Sequence, residues 1–183
     1  GSRVLAITGT NGKTTTTALT AHLLVAAGLK AVSAGNIGRP LSAVALEDDP
    51  PDWLAVELSS FQLHDMPSLS PTAGVLTNLS PDHLDRYPTL ADYYADKAQL
   101  LRHATEAPGR ITTDDDPEVQ RLEAPVAGVH RRFSTTRVAD GLYDRRGLAL
   151  MLGRDSLLPR GELMLLVDHD VANGPAAAPA ARV

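Results

Sequence analysis

The 183-residue sequence contains no cysteine, few aromatic residues and no long apolar run. Without cysteine the chain can form no disulfide framework, which favours a reducing compartment such as the cytoplasm. Aromatic residues make up only 4% of the sequence, so we expect a core of alanine, valine and leucine. No apolar segment approaches the roughly 20 residues that cross a bilayer, and no secretory signal is recognisable. We therefore predict a cytoplasmic protein without a membrane partner.

Basic residues do not outnumber acidic ones. Lys and Arg total 17 against 22 Asp and Glu, which gives a formal net charge of −5. Because nucleic-acid backbones attract basic surfaces, this balance argues against nucleic-acid binding. The length and the hydrophobic fraction of 43% fit one globular α/β domain over residues 1–183. We expect a monomer, in which an anionic ligand would need a local basic pocket.

The most informative stretch is Val4–Thr17, where an apolar run precedes two glycines, a lysine and a helical pattern. That order predicts a buried strand, a tight phosphate-binding turn and the N-terminus of a helix. Gly9 and Gly12 let backbone N–H groups approach phosphate oxygens, Lys13 supplies positive charge, and Thr14 offers Mg²⁺ a hydroxyl. Gly-x-x-Gly-Lys-Thr alone is a weak signal, but the flanking strand and helix favour nucleotide binding over a structural turn.

Strand and helix patterns alternate along most of the chain. The strands are expected at Val4–Ile7, Ala31–Ala34, Trp53–Glu57, Gly74–Thr77, Gly109–Thr112 and Val126–Val129. The longer helices are expected at Lys13–Ala27 and Thr89–His103, and a short helix is expected at Leu41–Leu46. This order predicts a mostly parallel sheet flanked by helices. Short strands at Gly141–Tyr143, Leu148–Leu152 and Leu163–Leu166 predict a small antiparallel sheet near the C-terminus.

Several polar residues stand at strand ends or in turns. Glu57 ends a strand and should point into the crevice where open α/β sheets bind ligands, which favours a Mg²⁺-related role over a solvated strand end. Ser59 can equally cap a helix, and Asn36 between two glycines can equally serve turn chemistry. A helical lysine such as Lys97 is usually a solvated surface charge.

Other charged runs are interpreted structurally. Asp114–Asp116 precede a proline and a short helix, where carboxylates cap and solubilise. His130–Arg132 and Arg145–Arg146 are interpreted as exposed turn charges.

Four stretches taken together resemble the central ATPase domain of the Mur ligases. They are Gly9–Thr15, Gly35–Gly38, Glu57–Leu63 and Asp82–Tyr87 with Lys97. The resemblance covers nearly the whole chain, from Val4 to about Asn173. It implies an amide ligation in which ATP phosphorylates a substrate carboxylate to an acyl phosphate, which an amine then attacks. The form of Glu57–Leu63 implies UDP-N-acetylmuramoyl-L-alanine and D-glutamate as the substrates, and thus a step of peptidoglycan precursor synthesis.

The resemblance also implies roles by motif position. The ATP-binding residues would be Gly9, Thr10, Asn11, Gly12, Lys13, Thr14, Thr15 and Asn173. The ligands of two Mg²⁺ ions would be Thr14, Glu57, His83 and Lys97. The substrate-binding residues would be Asn36, Ser59 and His83. The catalytic residues would be Lys13, His83 and Lys97, of which Lys97 would carry a carbamate that turns a cation into an anionic oxygen ligand.

Family members have further domains that bind the UDP part and the amino acid, and no stretch here resembles them. The isolated chain is therefore expected to be inactive.

The sequence departs from the family in its last motif, where His169 and Asn173 match but Asp170 replaces an asparagine. Gly174-Pro175 and Pro179 are expected to interrupt the following helix, because an interior proline costs roughly 3 kcal/mol. Two alternatives stay open, a non-catalytic nucleotide-binding module and a Mur-type ligase for another amino acid.

Overall fold

The computed structural model describes residues 1–104, 109–128, 130–144, 149–159 and 173–181. Within these ranges the strands are β1 (Arg3–Thr8), β2 (Ala31–Gly35), β3 (Trp53–Glu57), β4 (Ala73–Leu76), β5 (Arg110–Thr113), β6 (His130–Ser134), β7 (Gly141–Asp144), β8 (Ala149–Leu152) and β9 (Asp155–Pro159). The helices are α1 (Lys13–Ala26), α2 (Leu41–Ala45), α3 (Ser60–His64), α4 (Leu90–His103), α5 (Pro117–Glu123) and α6 (Asn173–Ala180). In the described part of the chain no helix is both long and apolar enough to span a bilayer.

The strands form one sheet in the order β2-β3-β1-β4-β5-β6-β7-β8-β9. All neighbours from β2 to β7 pair in parallel, whereas β8 and β9 pair antiparallel. The predicted fold class is therefore confirmed, and the antiparallel strands continue the main sheet. β1 lies between β3 and β4, with Ile7 level with Glu57 on one side and Val75 on the other. The segments that follow these three strands consequently meet at one sheet edge, where open α/β sheets bind ligands.

Alternate residues of the strands serve two apolar layers, as the two-residue period of a strand requires. Leu5 and Ile7 of β1 join one buried cluster with residues of α1 and α6. Ala6 joins a second cluster on the other face, together with Leu63 of α3 and Leu100 of α4. The sheet is thus covered on both faces, which fixes the edge where β1, β3 and β4 end.

The strand predicted at Val126–Val129 is wrong. Residues 126–128 lie in the connection after α5, and the strand begins at His130. The interpretation of His130–Arg132 as exposed turn charges is wrong as well, because all three belong to β6. The Arg132 guanidinium pairs with Asp114 Oδ1 at 2.7 Å and with Glu123 Oε1 at 2.8 Å. Carboxylates on neighbouring elements therefore allow a charged segment to enter the sheet.

The expected interruption of the last helix is also wrong, since α6 runs from Asn173 to Ala180. Pro175 lies in the first turn, where a backbone N–H would have no partner within the helix. Pro179 lies inside the helix and lacks one backbone donor. All eight residues of α6 are buried, so packing of small residues offsets that loss. The strand predicted at Leu163–Leu166 and the residues Arg145, Arg146, His169 and Asp170 lie outside the described residues.

Candidate functional site

The loop between β1 and α1 forms one wall of the site. Gly9 has φ +149° and Gly12 has φ +78°, conformations that favour glycine. A Cβ at Gly9 would collide with Thr77 Oγ1, and one at Gly12 would collide with Asn173 Oδ1. The loop lines a cavity of about 640 Å³ that also contacts Asn36 and Glu57. No side chain of the described residues caps the start of α1, so its first N–H groups are available to an anion in this cavity.

The end of β4 holds this loop in place. Asn78 Oδ1 accepts from the Asn11 N–H at 2.9 Å, and Asn78 Nδ2 donates to the Asn11 carbonyl oxygen at 2.9 Å. Thr77 Oγ1 donates to the same carbonyl at 2.7 Å. Thr77 and Asn78 were missed by sequence reasoning. The available signal was that they directly follow a strand that neighbours β1 in this kind of sheet.

Lys13 contacts backbone carbonyl groups of the loop. Its Nζ donates to the Gly9 carbonyl at 3.1 Å and to the Thr10 carbonyl at 2.8 Å. No carboxylate of the described residues forms an ion pair with it. A cation at the mouth of a helix N-terminus with only carbonyl partners is suited to an anionic ligand such as a phosphate. The residues present therefore fit a nucleotide.

Glu57 presents the complementary case of a buried anion. It is 2% exposed, and its Oε2 accepts from Thr14 Oγ1 at 2.8 Å while its Oε1 accepts from Asn36 Nδ2 at 3.2 Å. Both donors are neutral, and within the described part of the chain no lysine, arginine or histidine pairs with it. A buried carboxylate without a counter-ion is costly. Together with the Thr14 hydroxyl it supplies the oxygen ligands that Mg²⁺ prefers.

Lys97 is not the solvated surface lysine that its helical position alone suggests. It is 2% exposed, and its Nζ donates to the Gly9 carbonyl at 2.8 Å, the same oxygen that Lys13 contacts. Its Nζ also lies 4.7 Å from the centre of the Tyr93 ring. Burial, and then the charge of Lys13, lower the pKa of Lys97 to about 7. A large fraction of this side chain is therefore the neutral amine near neutral pH.

His83 lies against the same Tyr93 ring. Its ring centre is 5.9 Å from that of Tyr93 and 5.2 Å from that of Phe61. Its backbone is left-handed, with φ +52°. The described residues contain no group of three or more His, Asp or Glu side chains placed to hold a metal ion. The described His, Asp and Glu side chains therefore do not form a second metal site by themselves.

Ser59 caps α3 in a reciprocal arrangement with Gln62. The Gln62 N–H donates to Ser59 Oγ at 3.2 Å, and Gln62 Oε1 accepts from the Ser59 N–H at 2.9 Å. The capping interpretation is confirmed, and a substrate contact by Ser59 stays a prediction.

Asp116 likewise caps α5 by accepting from the Glu118 and Val119 N–H groups, as the acidic run predicts.

Some of the predicted site residues contact one another through hydrogen bonds, and others contact the same aromatic ring. Hydrogen bonds connect Glu57 to Thr14 and Asn36, and Lys97 shares a carbonyl with Lys13. Among the described contacts, the Tyr93 ring links His83 to Lys97. The Asn173 side chain lies against Gly12 of the loop, and Thr16 Oγ1 donates to its Oδ1 at 3.3 Å.

The sequence matches the family model described as the Mur ligase middle domain over residues 7–150. It is 39% identical over 172 residues to UDP-N-acetylmuramoylalanine–D-glutamate ligase of Fusobacterium nucleatum, which covers 94% of this chain and 39% of that protein. It is 42% identical over 187 residues to the protein of the same name from Aromatoleum aromaticum, which covers 96% of this chain and 39% of that protein. The chain thus spans about two fifths of the length of these relatives.

Solved structures show the same fold. A UDP-N-acetylmuramoyl-L-alanyl-D-glutamate–2,6-diaminopimelate ligase matches with a TM-score of 0.75 at 24% identity, covering 99% of this chain and 43% of that one. The MurF ligase from Thermotoga maritima, solved in complex with ADP, matches with a TM-score of 0.70 at 18% identity, covering 100% of this chain and 45% of that one.

Proposed function

This chain belongs to the Mur ligase family by its middle domain, and we propose that it is the ATP-binding and metal-binding domain of a ligase that joins D-glutamate to UDP-N-acetylmuramoyl-L-alanine. The family consists of ATP-dependent ligases, and relatives that cover most of this chain carry the name of the D-glutamate-adding enzyme. The domains that would bind the two substrates lie outside the matched two fifths of those relatives. On this proposal the chain alone carries out no complete ligation.

The observation that carries the proposal is that one cavity holds a cation and a buried carboxylate, neither of which forms an ion pair with a described residue. Among the described residues, Lys13 has only carbonyl partners, and Glu57 has only neutral donors. When bound, ATP would supply the phosphoryl group that activates a substrate carboxylate, and Mg²⁺ would neutralise phosphate charge. Lys13 and the open N–H groups of α1 would hold the phosphates. Thr14 and Glu57 would hold the first metal ion.

Asn36 holds the second carboxylate oxygen of Glu57. By donating to Glu57 Oε1 it leaves Oε2 directed at Thr14, so the two oxygen ligands face each other. Fixing a carboxylate by an outer hydrogen bond is the usual way in which proteins orient a metal ligand. We assign Asn36 this orienting role, and a direct substrate contact by Asn36, Ser59 or His83 stays a prediction.

Lys97 would serve the second metal site as a carbamate. Only the neutral amine reacts with carbon dioxide, because its lone pair forms the new N–C bond while a proton leaves to water. With a pKa of about 7, about half of the Lys97 side chains are neutral near neutral pH. An unperturbed lysine would be neutral in less than about one molecule in a thousand at that pH. The local environment therefore favours the modification that a second Mg²⁺ site with His83 requires.

Lys13→Ala tests the nucleotide site. Without the ammonium only backbone N–H groups would balance the phosphate charge, and we expect the affinity for Mg·ATP to fall by about a hundredfold or more, since charged hydrogen bonds contribute about 1.5–3 kcal/mol each. Isothermal titration calorimetry on this chain measures it. Lys30→Ala is the matched control, because Lys30 pairs with Asp49 away from the cavity. Equal affinities of Lys13→Ala and the unsubstituted chain would refute the nucleotide site.

A further inference from the structure

We propose that Asp116 is a positioning residue for the nucleotide site, and that it acts through residues 77–80 without contacting the ligand. This inference rests on the proposed function, because it concerns the phosphate-binding loop of the same site. The cavity is lined by that loop, the first turn of α1, Asn36 and Glu57, whereas Asp116 stands at the start of α5. Its carboxylate holds the segment 77–80, and this segment holds the loop.

The two carboxylate oxygens of Asp116 hold different parts of the chain. Oδ1 accepts from the Glu118 N–H at 2.9 Å and from the Val119 N–H at 3.4 Å, and so caps α5. Oδ2 accepts from the Leu79 N–H at 2.7 Å. Capping a helix needs only one oxygen, which serine also supplies. The second oxygen therefore serves the link between α5 and the segment 77–80.

Leu79 lies between two residues that hold the phosphate-binding loop. On one side of it, the Asn78 side chain pairs with both the N–H and the carbonyl group of Asn11. On the other side, the Ser80 N–H donates to Thr10 Oγ1 at 3.0 Å. The position of the Leu79 peptide consequently determines where both neighbours place the groups that contact the loop.

The segment 77–80 needs such a support because it belongs to no strand or helix. Without a regular ladder of hydrogen bonds, an irregular segment depends on side chains to satisfy its backbone. Leu79 is 8% exposed, and a buried N–H that loses its partner costs free energy unless the chain moves. Movement of Leu79 would displace Asn78 and Ser80, and with them the loop whose N–H groups would face the phosphates.

Asp116→Ser tests the inference, because it keeps a capping oxygen for α5 and removes the one that holds Leu79. We expect the affinity of this chain for Mg·ATP to fall by about threefold to tenfold, which is less than direct loss of a charged hydrogen bond to the ligand would cause. Isothermal titration calorimetry measures the affinity, at a temperature where thermal unfolding shows the variant to be folded. Asp114→Ser is the matched control, because this carboxylate pairs with Arg132 of β6, and it should leave the affinity unchanged.

A double-mutant cycle with Asn78→Ala distinguishes a positioning role from a general loss of stability. Both substitutions loosen the same segment, so the loss of affinity in the double variant should be smaller than the product of the two single losses. A residue that only stabilises α5 would lower the unfolding temperature and leave the affinity of the folded chain intact.

A second measurement needs no variant of Asp116, and it decides the question if Asp116→Ser does not fold. If the bond to Leu79 favours ligand binding, a bound ligand must by linkage favour that bond. Hydrogen exchange at the Leu79 amide should therefore become slower by a similar factor when Mg·ATP saturates the unsubstituted chain. The Thr135 N–H donates to Asp115 Oδ2 at 2.6 Å, and neither residue belongs to the segment or the loop. Exchange at the Thr135 amide is thus the control and should change less.

Three results would overturn the inference. They are full affinity in a folded Asp116→Ser variant, losses that multiply with those of Asn78→Ala, and a Leu79 amide that is slowed no more than the Thr135 amide. Failure of the unsubstituted chain to bind Mg·ATP is a different result, because it removes the proposed nucleotide site itself.

Discussion

Lys97→Met should make the chain more stable near neutral pH, and the gain should shrink as the pH rises. In the folded chain the pKa of Lys97 is about 7, whereas an unfolded lysine titrates near about 10.4. Between these values the unfolded state binds more protons, so the stability of the unsubstituted chain rises by about 1.4 kcal/mol per pH unit. The cost of burying the ammonium is fully present below about pH 7, where it amounts to about 4–5 kcal/mol. Methionine is of similar length and carries no such cost.

Urea unfolding of both proteins in buffer free of metal and carbon dioxide measures this difference. From about pH 7 to about pH 9 the advantage of Lys97→Met should fall by about 2–3 kcal/mol. The hydrogen bond to the Gly9 carbonyl that Lys97→Met loses does not depend on pH, so it shifts the difference in free energy of unfolding by a constant amount. Lys30→Met is the control, because the Lys30 side chain is 44% exposed and its charge stays in water. A Lys97→Met advantage that does not change over this range would refute the account of a buried amine with a lowered pKa.

Three further predictions follow from charged side chains. Glu123→Ala should destabilise the chain by about 1–3 kcal/mol in urea unfolding, because it removes the buried carboxylate that pairs with Arg132 and accepts from Thr112 Oγ1, while Arg132 keeps its pair with Asp114; Glu118→Ala, which removes an exposed pair on the same helix, should cost at most about 1 kcal/mol. Burial alone would raise the pKa of the Asp115 carboxyl, but hydrogen bonds from Ser134, Thr135 and Thr136 outweigh it and lower this pKa. The free energy of unfolding of the unsubstituted chain should therefore exceed that of Asp115→Asn by a constant amount above about pH 5, and by less below about pH 4. A difference that persists in acid, or equal acid sensitivity in an Asp48→Asn control, would contradict this. In a longer ligase that contains this chain as its middle domain, as we propose, Lys97→Ala should abolish turnover and acetate or formate should restore part of it, whereas near-normal turnover without a carboxylate would exclude the carbamate role.

The sequence predicted those elements whose residue pattern alone identifies them as a strand or a helix. The bounds of Trp53–Glu57 agree with β3 because a strand covered on both faces is an unbroken apolar run. The segment His130–Ser134 could not be recognised in the same way. Its charges become compatible with a sheet only through Asp114 and Glu123, which belong to other elements. Similarly, α6 tolerates Pro179 because it is buried on all sides, which no window of its own sequence reveals.

The same distinction holds for the candidate site. The loop and its Lys13 carry their chemistry in one contiguous motif, so they were predictable. The burial of Lys97 depends on how α4 crosses the sheet edge, and a helical pattern alone indicates only a surface position. The supporting contacts of Thr77, Asn78 and Asn173 arise where β4 and α6 pack against the loop. They require the strand order, which local patterns do not contain.

The most direct test of the central proposal is the release of phosphate by the longer ligase of which we propose this chain to be the middle domain. With Mg·ATP and UDP-N-acetylmuramoyl-L-alanine, D-glutamate should stimulate steady release, whereas L-glutamate, L-lysine and 2,6-diaminopimelate should not. Lys13→Ala should abolish the stimulation, and Lys30→Ala should leave it intact. Stimulation by another amino acid in place of D-glutamate would contradict the proposed specificity. Binding of ATP without release under any of these conditions would contradict the proposal that the domain belongs to a working ligase.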